Sequence, residues 1–211
     1  MSTLTRKFCA LLITMVALLS ASMFALCDQT QQLIAQCDSC HLAPEQASPI
    51  APSLHGISED YLFEQMANFQ QGKRGQQLND AAIIPAHDID QDSISLVADF
   101  YEELEARHSA DYSAFKIEGL SASETDGQAL YDDQCSVCHG SWFGRWISDS
   151  PAIKHLPPQY IADQIKAFAN NERSFVTPGG YKNDMLEVAK ELSDQELLDI
   201  IQYININAES L

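Results

Sequence analysis

Basic residues are scarce in this chain: 12 Lys+Arg stand against 30 Asp+Glu, for a formal net charge of −18. That deficit excludes nucleic acid as a partner and leaves an anionic membrane within reach only through another protein, because both surfaces repel a strongly acidic one. Redox or other proteins with a basic docking patch are what such a charge favours, beside a plain gain in solubility. Long apolar runs are lacking too. The nearest, Phe8 to Leu19, is too short for a comfortable bilayer crossing. It follows Arg6 and Lys7 and leads into the small residues Ser20 to Ser22, so residues 1–27 read as a secretory signal peptide whose end falls between 22 and 27. A lipid anchor on Cys27 fits poorly, since Leu26 is large where a small residue is wanted. Without the signal, 10 Lys+Arg remain against 30 Asp+Glu.

Cysteines for a disulfide framework are missing as well. Of six, Cys9 lies in the signal peptide, four fall in two tight pairs, and at most Cys27 is spare. An exported chain could form disulfides, but this one has none to form. Apolar–polar alternation of the kind that marks strands is also absent, which points to an all-α fold.

What is present is a pentapeptide used twice, Cys37-Asp38-Ser39-Cys40-His41 and Cys135-Ser136-Val137-Cys138-His139. Two thiols three positions apart, followed at once by an imidazole, suit covalent haem: the cysteines add across its vinyl groups as thioethers and the histidine ligates the iron from one face. A zinc site would want its second ligand pair at finger or ribbon spacing, whereas the two copies lie almost a hundred residues apart. A thioredoxin-like pair would sit at a strand-to-helix junction, and the flanks carry no strand pattern. The cofactors read from the motif are therefore two covalently bound haem c groups.

The motif belongs to a longer repeat, offset by 98 to 104 residues. Pro52 matches Pro151; Tyr61, Gln65, Phe69 and Arg74 match Tyr160, Gln164, Phe168 and Arg173; Asn79-Asp80 matches Asn183-Asp184 after a longer loop. Such a period marks a duplicated module. The expected division is one module over 28–107, an ordered linker over 108–122 and a second module over 123–211.

Each module is expected to hold about three helices around its haem. The first runs over 29–38, or from about Glu124 to Ser136 with Ser121 and Glu124 at capping-box spacing. The second follows Ser58 and stops at Gly72, or follows Pro157-Pro158. The third starts near Asp90, or at Ser193, where Glu196 completes a capping box.

With the haem motif, the later proline, the Tyr-Leu helix and the segment from Met185 to Asp194 all present, the chain resembles the two-domain, dihaem class I cytochromes c of the cytochrome c4 type. The resemblance implies Cys135 and Cys138 as thioether residues, His139 as proximal ligand, and Met185, on a loop ahead of the last helix, as distal ligand. For the first haem it implies Cys37, Cys40 and His41, with the Pro52 carbonyl accepting a hydrogen bond from His41. The expected distal methionine is missing there, because its place falls on Ala82 and no methionine lies between Met66 and Met185. His87, five residues beyond, fills the vacancy, or the iron is weakly ligated or five-coordinate; His55 stands on the proximal side, and Met66 reads as core. Trp142, Phe143 and Trp146 are expected to close one haem edge, and Gly140 to make a tight turn beside it. The function implied is a periplasmic electron carrier without a substrate of its own. The alternatives are the cytochrome subunit of a larger dehydrogenase, such as a flavocytochrome c sulfide dehydrogenase, and a ligand-binding or catalytic protein acting at the first haem.

Overall fold

The structure, a computed structural model, describes residues 29–41, 51–75, 87–105, 115–148, 150–173 and 184–207. The signal segment, Cys27, Ala82 and His108 lie outside the described residues, as do the side chains of Trp146 and Asp184. Every regular element among the described residues is a helix. None of these is long and apolar enough to cross a membrane. The chain divides into two compact units, Met1–Ser39 and Cys40–Leu211.

In the first unit, helix α1 spans residues 29–38. It closes where the Ser39 amide and hydroxyl both donate to the Gln36 carbonyl, at 3.2 and 2.6 Å, which satisfies a carbonyl the helix end would otherwise orphan.

In the second unit, α2 (Glu59–Gln70) packs on α3 (Gln91–Glu102). Gly72, at φ 66°, stops α2 in the left-handed conformation that glycine adopts most cheaply. Asp90 starts α3 by accepting from the Ser93 amide at 2.9 Å. Tyr61, Phe69, Ile94, Val97 and Tyr101 are buried along these two helices. Further on come α4 (Glu124–Gln134), α5 (Ser136–His139), α6 (Trp142–Ser148), α7 (Pro158–Ala169), α8 (Asp184–Glu191) and α9 (Asp194–Ile206). The second half is thus richer than three helices: α6 and α8 have 7 and 8 residues, about two turns each, too short for a sequence window of the length that separates helix from loop.

The core of this half gathers Tyr131 from α4, Ile161 and Ala162 from α7, and Leu197, Ile200, Ile201 and Ile204 from α9. Ile200 and Ile201 are each 1 % exposed, and burying such a side chain contributes about 1.5–3 kcal/mol. Helix α9 begins with the expected capping box between Ser193 and Glu196. The cap of α4, however, is Ser123, whose hydroxyl accepts from the Asp126 amide, and not Ser121. Ser-x-x-acid spacing occurs at both positions, and tertiary contact decides: the Ser121 carbonyl is taken by the Gln195 side chain, while the buried Asp199 carboxylate accepts the Ser123 amide at 2.7 Å.

Helices α4 and α9 meet at Gly127, where a Cβ would lie 2.1 Å from the Asp199 carbonyl oxygen. Gly127→Ala should therefore destabilise the holoprotein by about 2 kcal/mol or more, because overpacking against backbone outweighs the roughly 1 kcal/mol that alanine gains inside a helix. A thermal midpoint lowered by about 5 °C or more is expected. An unchanged midpoint would mean that the helices do not cross at this residue.

Candidate haem sites

The second pentapeptide is held by a helical turn. Cys135 ends α4, and its carbonyl accepts from the amides of Cys138 and His139 at 3.2 and 2.9 Å, so the two thiols stand three positions apart on one face. Gly140 makes the expected turn between α5 and α6, but with right-handed backbone angles. Its need for glycine is steric, since a Cβ would lie 2.6 Å from the Ser136 carbonyl oxygen. Burial, and then the neighbouring Cys138, push the Cys135 thiol up to about 12.

Both motif histidines make the same contact. His41 Nδ1 lies 2.7 Å from the Pro52 carbonyl oxygen, and His139 Nδ1 lies 2.9 Å from that of Pro151. A carbonyl only accepts, so each Nδ1 carries the proton and each Nε2 keeps the lone pair that a metal takes. Burial, more than any other influence, holds His139 below its ordinary pKa and thus in this neutral form. Of the first motif, Cys37 is half-buried in the last turn of α1, within the first compact unit; Cys40 and His41 open the second.

Met185 stands in the first turn of α8, half-buried, and not on a loop as expected. Its flanks, rich in Gly, Asn and Asp, masked a helix start. His87 lies near His41, with ring centroids 6.0 Å apart, and stacks on Phe69 at 4.1 Å. His55 lies beside Tyr101 instead, at 6.1 Å. Met66 is half-buried on α2. Trp142 and Phe143, on the short α6 that follows the second motif, are 71 % and 58 % exposed.

One cluster escaped the sequence reading. Buried Arg74 donates from Nη1 to Gln65 Oε1 at 2.7 Å and from Nη2 to the Tyr160 hydroxyl of the other half. Buried Arg173 donates from Nη1 to Gln164 Oε1 at 2.7 Å and from Nη2 to the Tyr61 hydroxyl, also at 2.7 Å, again in the other half. Each guanidinium lies over its own phenylalanine, Phe69 at 4.8 Å and Phe168 at 4.7 Å. The signal was in the repeat, which pairs all eight residues, but the exchange of partners is invisible in one dimension.

These contacts bear on what the site can hold. Both arginines are buried against phenols and amides, neutral groups that leave two cations uncompensated among the described residues; burial and the Arg173 charge lower the pKa of Arg74. Beside them, Gln65 Nε2 and Asn68 Nδ2 are buried donors with no partner among the described residues. Such a donor set suits carboxylates, and a haem brings two. Among the described residues, no group of three or more His, Cys, Asp or Glu could hold a lone metal ion, which leaves the zinc reading without a ligand set there.

Comparison with known proteins agrees. Residues 124–206 match the family model of cytochrome c. The thiosulfate dehydrogenase electron acceptor of Thiomonas intermedia (strain K12) is 27 % identical over 178 residues, which are 81 % of this chain and 77 % of the relative. Cytochrome c4 of Azotobacter vinelandii is 28 % identical over 184 residues, 81 % of this chain and 83 % of its own. The crystal structure of reduced cytochrome c4 from Pseudomonas stutzeri superposes with a TM-score of 0.63 over 84 % of this chain and 96 % of that one, at 20 % identity, a likeness of fold.

Proposed function

We propose that this chain, an electron-transfer cytochrome of the cytochrome c4 type, holds two haems c and works as an exported, periplasmic carrier of single electrons. One module spans 28–107 and the other 123–211, joined by a linker over 108–122. The observation that carries the reading is the pair of matched contacts from His41 to Pro52 and from His139 to Pro151, which give both motif histidines the tautomer of a metal ligand.

A bound haem c supplies one-electron exchange at its edge. The protein's part lies in its own side chains. Cys37 and Cys40, and Cys135 and Cys138, tether the two groups. His41 and His139 present Nε2 to the iron, and the prolyl carbonyls fix each ring. Met185 would offer its thioether to the iron of the second haem. Arg74 and Arg173 would balance haem carboxylates, which removes the cost of leaving those charges unpaired.

The likeness to a thiosulfate dehydrogenase electron acceptor favours a particular donor, a periplasmic dehydrogenase that hands over electrons one at a time. Whether the chain acts as a free carrier or as that enzyme's cytochrome subunit, docking is expected to use a basic patch on the partner. The charge of −18 then predicts that stopped-flow electron transfer slows as ionic strength rises, since exposed charges are screened beyond about 8 Å at physiological salt. A flat or rising dependence would remove charge steering from the reading. A haem count below two per chain would remove the reading itself.

A further inference from the structure

We propose that His87 is the second axial ligand at the first pentapeptide, opposite His41, and that the fold sets the two imidazole planes nearly perpendicular. The inference rests on the reading above that a haem c is attached through Cys37 and Cys40. The His41 and His87 rings have centroids 6.0 Å apart and planes 85° apart. Two imidazoles on opposite sides of one metal have centroids about 6 Å apart, because each metal–nitrogen bond is about 2 Å and each centroid lies about 1 Å beyond its nitrogen. An edge-to-face contact between two rings covers the same distance range. What separates the two cases is how each ring is held.

His41 is fixed from behind, by the proton on Nδ1 given to the Pro52 carbonyl, so its Nε2 remains an acceptor. An unliganded pair would gain from an N–H of one ring against the face or nitrogen of the other, but His87 spends its own face elsewhere. It stacks on Phe69 with centroids 4.1 Å apart and planes at 17°. Its backbone segment is held separately, since Gln70 Nε2 donates to the carbonyls of His87 and Ile89 at 3.4 and 2.7 Å. Phe69 in turn carries the Arg74 guanidinium at 4.8 Å. The two rings are thus oriented by different anchors, a prolyl carbonyl and a buried phenyl ring, and their crossing angle belongs to the fold. Chemistry points the same way: the first half has no methionine after Met66, which lies half-buried on α2, so imidazole is the ligand class on offer.

Crossed imidazoles leave the two iron orbitals that bond to them nearly equal in energy, and parallel ones split them. The paramagnetic resonance spectrum of the oxidised full-length holoprotein is therefore expected to contain a strongly anisotropic low-spin species from the first haem, besides the methionine-type species of the second. His87→Met should abolish the anisotropic signal and double the sulfur-to-iron charge-transfer band. His87→Ala should leave a high-spin iron that binds carbon monoxide when reduced. Phe69→Leu keeps both ligands but frees the His87 ring, so its anisotropy should fall while the spin state stays low. With two covalent haems counted by pyridine haemochrome, two methionine-type signals, a high-spin iron in the unmodified protein, or an unaltered spectrum in His87→Met would overturn this ligand assignment alone. Fewer than two haems would overturn the underlying reading with it.

Discussion

Cys138→Ala should produce a chain that keeps at most one securely attached haem and is digested by protease where the unmodified protein resists. The expected loss is large because each half is a small domain of the size at which a hydrophobic core alone is marginal. The second half relies on a handful of fully buried side chains, chiefly Tyr131, Ile200, Ile201 and Ile204, and the haem is expected to complete that core. In the folded chain the Cys135 thiol is held protonated, up to about 12, and a protonated thiol is a poor nucleophile. Thioether formation is thus expected before the turn around Cys135 closes, and a chain lacking Cys138 would close without its second tether. Limited proteolysis and a haem count on the purified variant decide the matter. A resistant, normally folded protein with two covalent haems would exclude Cys138 as an attachment residue.

A redox titration should resolve two steps, the upper one belonging to the second haem. Thioether sulfur stabilises ferrous iron relative to imidazole nitrogen, so a His139/Met185 pair raises the potential, while a site without methionine stays lower. The separation should be on the order of 0.1 V or more, a modest part of the roughly 0.8 V that axial ligands span. Met185→His should lower the upper step by a comparable amount and leave the other nearly unmoved. Electrons would then enter at the first haem and rest on the second. Two equal, methionine-like potentials would reassign the first distal position and bring Met66 back as its ligand.

Much of this was legible in one dimension. The helices following Ser58, Asp90, Pro157 and Ser193 announce themselves through caps, Pro at N1 and 3.6-residue stripes, all local signals. The prolyl contact of His41 was implied by the resemblance to cytochromes of the c4 type, not by the spacing itself. What stayed hidden depends on partners far along the chain. Ser123 wins over Ser121 as the cap of α4 because of Asp199 and Gln195, both more than seventy residues away. Met185 lies on a helix whose start resembles a loop. His87 could be named as a candidate from its position, but only three dimensions bring it to within 6.0 Å of His41.

The arginine contacts between the halves carry a historical implication. Arg74 reaches Tyr160 while Arg173 reaches Tyr61, so donor and acceptor trade places between equivalent positions. That reciprocity is the signature of an isologous interface, in which one surface patch meets its own copy across a two-fold axis. Chains that associate in this way need no linker to do so. The tandem protein therefore has the geometry of a fused homodimer: a single ancestral module would have paired with itself through the same tyrosine and arginine. Joining two such modules in one chain fixes their stoichiometry and frees each copy to differ, as Ala82 in the first and Met185 in the second already do.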